Sequence, residues 1–189
     1  MQADIDRVLI DRSQIAQRLD QIADQIGRDL RQEAARDQTT EVTLVPILTG
    51  SMIFVSDLIR RLPLRMQIRL VSVNSYPGRT TSSRGASMEA ALTHMPASLN
   101  DRHVLIIDDI LDSGTTLRFV RQVIETKNPH SLRSCVLLRK NRPEARKTDV
   151  DYVAFDIPNE FVVGYGLDYD GYYRNLPDIV TLRREVYES

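Results

Sequence analysis

Val104-Leu-Ile-Ile-Asp108-Asp109-Ile-Leu-Asp112-Ser113-Gly114-Thr115-Thr116-Leu117 is the stretch on which the reading of this chain turns. The compact apolar, β-branched run Val104 to Ile107 predicts a buried strand, and Thr115 to Thr126 predicts a helix. Between them lie two adjacent acids, a third acid and a Ser-Gly-Thr-Thr turn. That turn has what a phosphate cradle needs: a Gly for close backbone approach, hydroxyl donors, and the N–H groups and positive dipole end of a helix. It matches neither G-x-x-x-x-G-K-[ST] nor G-x-G-x-x-G, so a phosphate monoester on a small ligand fits better than a nucleoside triphosphate.

If the strand continues through Asp108 and Asp109, they point to opposite faces, and at least one faces the ligand crevice. A carboxylate beside a phosphate repels it by roughly 4 kcal/mol per unit-charge pair at 4 Å and an effective dielectric of 20, unless hydroxyls or a cation intervene. A ribose diol and Mg²⁺ supply both. The plainer alternative, that these acids only complement a helix dipole, is worth a few tenths of a kcal/mol.

Upstream, Val42 to Leu48 reads as a buried strand, followed by the turn Thr49-Gly50-Ser51 and a helix from Met52 to Leu62 that stops at Pro63. Ile15, Leu19, Ile22, Ile26 and Leu30 recur at helical spacing, so residues 13 to 36 form an amphipathic helix that Asp11 or Ser13 caps. A short strand at Val8 to Ile10 precedes it. Further strands are expected at Gln67 to Val73, Leu132 to Leu138, Asp151 to Phe155, Phe161 to Val163 and Ile179 to Leu182. Strands alternating with helices predict an α/β fold, a mostly parallel twisted sheet flanked by helices, in a single domain over 1–189. Ligands of such sheets sit beyond the carboxyl ends of the strands. Pro77 to Asp101 is long and weakly patterned, as functional lids are.

The 189 residues carry 25 Lys and Arg against 26 Asp and Glu, a formal charge of -1, which argues against a dedicated nucleic-acid partner. One cysteine, Cys135, excludes an internal disulfide framework and points to a reducing, cytoplasmic compartment. The start lacks a basic stretch leading into an apolar one, and no apolar run reaches membrane length, so no membrane partner is expected. His94, His103 and His130 lack the spacing of a helical metal pair and are expected at the surface or in loops.

Residues 104 to 117 resemble the phosphoribosyl-pyrophosphate binding motif of the type I phosphoribosyltransferases. The resemblance covers most of the chain and is nearest to the purine-salvage branch, the hypoxanthine-guanine phosphoribosyltransferases. Leu48-Thr-Gly-Ser51 with the helix after it resembles the family's pyrophosphate loop, Ser75-Tyr76 the start of its catalytic loop, and Ile157 to Tyr169 with Tyr173-Arg174-Asn-Leu-Pro its purine-binding segment.

The resemblance implies a sheet fold with a small base-binding hood, Mg²⁺ as cofactor, phosphoribosyl pyrophosphate and a purine as substrates, and a homodimer or homotetramer. By the same resemblance, Asp112 is the catalytic acid/base at purine N7. Asp108 and Asp109 hold the ribose hydroxyls directly or through Mg²⁺, and Ser113, Gly114, Thr115 and Thr116 bind the 5′-phosphate. Thr49, Gly50, Ser75, Tyr76 and Arg174 serve pyrophosphate. Lys140, Phe161, Val162 and Asp168 serve the purine, with Asp168 also a Mg²⁺ ligand, and the loop from Tyr76 to about Gly85 closes over the site. Residue chemistry alone also allows Phe161 as a core aromatic and Arg174 as a surface ion pair.

Two positions depart from the pattern. Thr49 stands at a family lysine, where backbone amides still suit a diphosphate, and Glu160 stands at a second one, reversing the hydrogen-bonding sense toward a 6-oxo group that Lys140 then serves. The implied reaction is purine salvage, giving IMP or GMP and pyrophosphate. A phosphoribosyltransferase for another base, or a non-catalytic sensor of phosphoribosyl pyrophosphate on the same fold, is the alternative.

Overall fold

In the computed structural model, residues 1–37, 41–72 and 96–187 are described. Five strands follow one another in the sheet: β2 (Glu41–Leu48), β3 (Met66–Ile68), β5 (Arg102–Leu111), β6 (Ser131–Lys140) and β7 (Tyr152–Ile157), with spatial order β3-β2-β5-β6-β7. A two-residue strand, β4 (Val71–Ser72), also pairs with β2, and every pairing in this sheet is parallel.

β5 lies at the centre, and Val104 to Ile107 have no solvent exposure. Leu105 and Ile107 pack with helix α1 (Arg12–Asp37) and helix α2 (Met52–Ile59). Val104 and Ile106 pack with Leu117, Val120 and Ile124 of helix α3 (Thr115–Glu125) on the other face. A strand covered on both faces reads as a continuous apolar run, and this one does.

α1 presents Ile15, Leu19, Ile22, Ile26 and Leu30 to the core. Of the two candidate caps, Asp11 is the one used: its Oδ1 accepts from the N–H groups of Ser13 at 2.8 Å and Gln14 at 2.9 Å. The Gln14 side chain returns an acceptor to Asp11 N at 3.0 Å, a reciprocal cap.

The expected single strand Gln67 to Val73 is broken at Arg69 and Leu70. Arg69 N donates to Leu44 O at 2.9 Å, so Leu44 turns its polar groups to this side of β2, and Pro46, two residues on, faces the same way without an N–H to give. The helix from Met52 ends at Ile59 rather than Leu62. β5 and β6 run past their predicted ends, and short helices α4 (Pro143–Arg146) and α5 (Arg184–Tyr187) were not foreseen.

His103 corrects the expectation for the histidines. It is fully buried in β5, with Nδ1 2.9 Å from Ser131 Oγ and its ring edge-on to His130. His94 and the proposed lid lie outside the described residues.

A second, antiparallel sheet of order β1-β9-β8 joins the chain's ends: β1 (Ile5–Ile10), β9 (Ile179–Leu182) and β8 (Val162–Val163). It is the hood that the family resemblance implies. No helix among the described residues is long and apolar enough to cross a membrane.

Because Leu105 has no exposure and its neighbours are strand and helix side chains on a fixed frame, Leu105→Ala should cost about 2–5 kcal/mol. The check is a lowered urea midpoint at unchanged m-value.

Candidate active site

β5 continues through both aspartates to Leu111, so the two carboxyl groups leave opposite faces of one strand. Here the parallel sheet ends, and a cleft of about 990 Å³ opens between the ends of β2 and β5, the turn into α3 and the loop after β8. Asp108, Asp109, Asp112, Ser113, Gly114, Thr115 and Thr116 line it on one side, Thr49 and Gly50 on a second, and Asp168 and Arg174 on a third. Three segments far apart in sequence therefore meet at the place where ligands of parallel sheets sit.

Asp108 is buried, and its Oδ1 accepts from Asp109 N at 3.0 Å; Asp109 Oδ1 accepts from Ile110 N at 2.9 Å. Burial pushes both carboxyl groups above their ordinary range, and for Asp108 the neighbouring charge of Asp109 pushes further. A pair that resists ionising is stabilised in its charged form by whatever brings donors or positive charge.

Gly50 is what lets the turn after β2 reach this pair. A Cβ there would stand 1.6 Å from Asp109 Oδ2, inside any allowed contact. The peptide joining Leu48 to Thr49 in the same loop is cis.

The turn into α3 holds Gly114 at φ +75° as the N-cap, a conformation that L side chains avoid. Ser113 Oγ and Thr115 Oγ1 lie 3.0 Å apart at the helix's first turn, both residues exposed to the cleft.

Arg174 spans the third wall: Nη1 donates to Gly166 O at 2.7 Å and Nη2 lies 2.8 Å from Asp168 Oδ1. Asp168 Oδ2 accepts from Gly171 N at 2.8 Å. Arg174 is thus an ion-paired residue, and its partner is a cleft carboxylate.

Asp112 is held from outside the cleft. Lys140 Nζ is 3.0 Å from Asp112 Oδ2, and Arg142 Nη1 engages Oδ1. Partial burial raises this carboxyl's pKa, but the two cations outweigh it and hold the group below the ordinary carboxylate range. Arg142 was missed by the sequence reading; a Lys-Asn-Arg-Pro turn at a strand end was the available signal.

The remaining residues assigned to the base stand on the hood. Val162 is buried and pairs with Thr181 across β8 and β9. Phe161 is 38% exposed, edge-on to Tyr169 at 5.7 Å and tilted against Tyr187 at 5.3 Å, so it is not a core aromatic. It lines a groove of about 650 Å³ with Arg7, Glu160 and Tyr187 rather than the main cleft. Glu160 is ion-paired with Arg7 of β1. No signal in the sequence placed Tyr187 on Phe161. Ser75 and Tyr76 lie outside the described residues.

Among the described residues no cluster of three or more His, Cys, Asp or Glu could cage a metal. Mg²⁺ needs no such cage: it binds through one or two carboxylates, waters and the phosphates of its ligand. The hard oxygens of Asp108, Asp109 and Asp168 at the cleft fit that mode.

A family profile described as phosphoribosyl transferase domain matches residues 12–170. A hypoxanthine-guanine phosphoribosyltransferase of Mycobacterium avium is 43% identical over 186 residues, covering 98% of this chain and 90% of the relative. One of Staphylococcus epidermidis is 44% identical over 147 residues, covering 77% and 79%. Among solved structures, the hypoxanthine phosphoribosyltransferase of Trypanosoma cruzi, in complex with the product IMP, superposes with a TM-score of 0.80 at 33% identity, covering 97% of this chain and 94% of that one. The Staphylococcus aureus enzyme does so at 0.82 and 36%, covering 100% and 97%.

Gly50→Ala is expected to drive the Asp109 carboxylate out of place, since the added methyl cannot coexist with it. Titration calorimetry with pyrophosphate and Mg²⁺ should show affinity weakened at least about tenfold, equivalent to 1.4 kcal/mol, with the thermal midpoint little changed.

Proposed function

The chain belongs to the phosphoribosyl transferase family, and we propose that it is a purine-salvage enzyme transferring the 5-phosphoribosyl group from phosphoribosyl pyrophosphate to hypoxanthine or guanine. IMP or GMP and pyrophosphate are its products. The observation that carries this is the convergence in one cleft of the acid pair, the Ser-Gly-Thr-Thr helix entry and the Gly50 loop. The relatives that match nearly the whole chain are hypoxanthine-guanine phosphoribosyltransferases, and the Trypanosoma cruzi relative has been solved with the product IMP.

In this reading the α3 entry binds the 5′-phosphate: Ser113, Thr115 and Thr116 give hydroxyl donors, and the helix end supplies positive potential. Asp108 and Asp109 accept from the ribose 2′ and 3′ hydroxyls. Thr49, Gly50 and Arg174 take the pyrophosphate, a planar guanidinium suiting a diphosphate, and Ser75 and Tyr76 serve it as well.

Phe161 gives a face to the purine, Val162 its backbone to the base edge, and Lys140 a donor to the 6-oxo group. Asp108, Asp109 or Asp168 would hold Mg²⁺, which would supply charge neutralisation of the leaving group. The sugar–pyrophosphate bond breaks with its electron pair leaving on pyrophosphate, N9 forms the new bond to C1′, and Asp112 takes the proton from N7. Positioning and electrostatic stabilisation of an oxocarbenium-like transition state do the remainder.

A single domain spanning 1–189, a homodimer or homotetramer, and a cytoplasmic location complete the proposal. They are supported by the antiparallel sheet that pairs β1 with β9, by the family, and by the single buried thiol of Cys135.

Incubation with labelled phosphoribosyl pyrophosphate, Mg²⁺ and each of hypoxanthine, guanine, xanthine and adenine tests the reading. Base-dependent release of pyrophosphate with the first two is expected. Turnover with another base alone, or none, would replace it by one of the alternatives. Since Glu160 is occupied with Arg7, Glu160→Lys should leave the kcat/KM ratios among the four bases unchanged.

Asp112→Asn should keep phosphoribosyl pyrophosphate binding while slowing the single-turnover rate by about 10²- to 10⁴-fold, the range of general acid/base catalysis. Quenched-flow measurement at saturating substrate is the check.

A further inference from the structure

Lys140 has two claims on it. In the proposed reaction, on which the role inferred for Arg142 rests, it donates to the 6-oxo group of the base, and its Nζ also stands 3.0 Å from Asp112 Oδ2. The 6-oxo group and N7 lie on the same edge of the purine, so the cation and the acid/base must work side by side. A lysine ammonium that turns toward the oxo group loosens its hold on the carboxylate. If Lys140 were the sole anchor, Asp112 would lose its orientation at the moment it must accept a proton.

The second anchor is Arg142, which engages the other carboxylate oxygen, Oδ1. The backbone sets both cations on one turn. Lys140 ends β6, Arg142 N donates to Lys140 O at 2.8 Å, and Asn141 N is tied to Ile157 O of β7 at 2.8 Å. Pro143 follows at the first position of α4 and holds Arg142 extended, at φ -128° and ψ 148°. Glu144 lies behind the guanidinium, 3.7 Å from Nε. Among the described residues, Lys140 and Arg142 are the charged partners of Asp112, and no proposed metal ligand touches it.

We propose that Arg142 is a positioning residue for the acid/base step: its grip on Oδ1 keeps Oδ2 directed at the base edge while Lys140 serves the 6-oxo group. Its charge also keeps the carboxylate ready to accept a proton in mildly acidic solution. Arg142 itself touches neither substrate. The sign of the pH effect follows from the charge. A cation beside a carboxylate favours the ionised form, so removing it lets Asp112 protonate at higher pH and moves the acid limb of the rate profile upward.

The test measures single-turnover rates across about pH 3 to 8, a span that includes the ordinary aspartate pKa of about 3.9 and the region below it where the limb of a cation-paired carboxylate falls. It uses saturating phosphoribosyl pyrophosphate, Mg²⁺ and hypoxanthine with wild type, Arg142→Ala, Arg142→Lys and Asp112→Asn. Arg142→Ala is expected to slow the step about tenfold, a part of the roughly 10²- to 10⁴-fold that acid/base catalysis supplies. It should shift the acid limb to higher pH and leave KM for phosphoribosyl pyrophosphate unaltered. Arg142→Lys should return the limb toward its wild-type position, which a merely structural role for the side chain would not do.

If Asp112→Asn is slow while Arg142→Ala keeps both the wild-type rate and the wild-type limb, the positioning role is wrong and the acid/base reading stands. If Asp112→Asn retains the full rate, the acid/base reading falls and this inference falls with it. A raised KM for phosphoribosyl pyrophosphate in Arg142→Ala, with the limb unmoved, would place Arg142 in substrate binding and overturn the proposal.

Discussion

The double burial of β5 is the constraint from which the rest of the structure follows. A central parallel strand must be covered on both faces, because neither row of Val104–Ile107 side chains can be left in water. α1 and α2 satisfy one row and α3 the other. With its apolar part fixed between two layers, the strand delivers Asp108, Asp109 and, one turn later, Asp112 at a height set by the sheet rather than by a loop. α3 does two things in the same stroke: it closes one core face with Leu117, Val120 and Ile124, and it aims its N-terminus at the cleft. Core packing and the geometry of the cleft are therefore set by one element seen from two ends.

The cleft is built by close approach rather than by a dedicated pocket wall. Gly50 admits the Asp109 carboxylate to a space that any side chain would fill. Arg174 binds Gly166 O and Asp168 within the loop after β8, so that loop is locked to itself while the guanidinium remains beside the acids. Two buried aspartates whose charged forms are disfavoured by burial sit in the middle. Donors or positive charge brought to such a pair would favour its ionised form.

Around Asp112 the charges are arranged in the opposite sense. The carboxylate is half-exposed and paired on both oxygens, so it stays ionised where its two neighbours on β5 resist ionising. Three acids within five residues thus divide into a pair suited to holding a ligand and a single group suited to accepting a proton. The division is made by burial and by the β6 turn. The hood adds a third environment, an aromatic cluster of Phe161, Tyr169 and Tyr187 on an antiparallel sheet made from both chain termini.

Local chemistry alone made much of this legible. Apolar periodicity located α1, the alternation of strands and helices led to a parallel sheet, and the order acid, acid, acid, Ser-Gly-Thr-Thr marked the cleft, because each of these rests on short-range spacing. What depended on contacts between elements separated in the chain was not readable. His103 was expected outside, since nothing local says that β5 begins two residues before its apolar run and buries the imidazole against Ser131. The break between β3 and β4 required knowing which side of β2 the missing N–H of Pro46 faces. The pairing of Glu160 with Arg7 of β1, from the other end of the chain, had no local signal either. By itself the sequence determined that the three acids and the Ser-Gly-Thr-Thr turn ride on a strand end and a helix entry, because strand and helix periods are local. Only the tertiary structure decided which charge stands beside which, because electrostatic partners are chosen by distance in space, and the sheet joins segments that the chain keeps far apart.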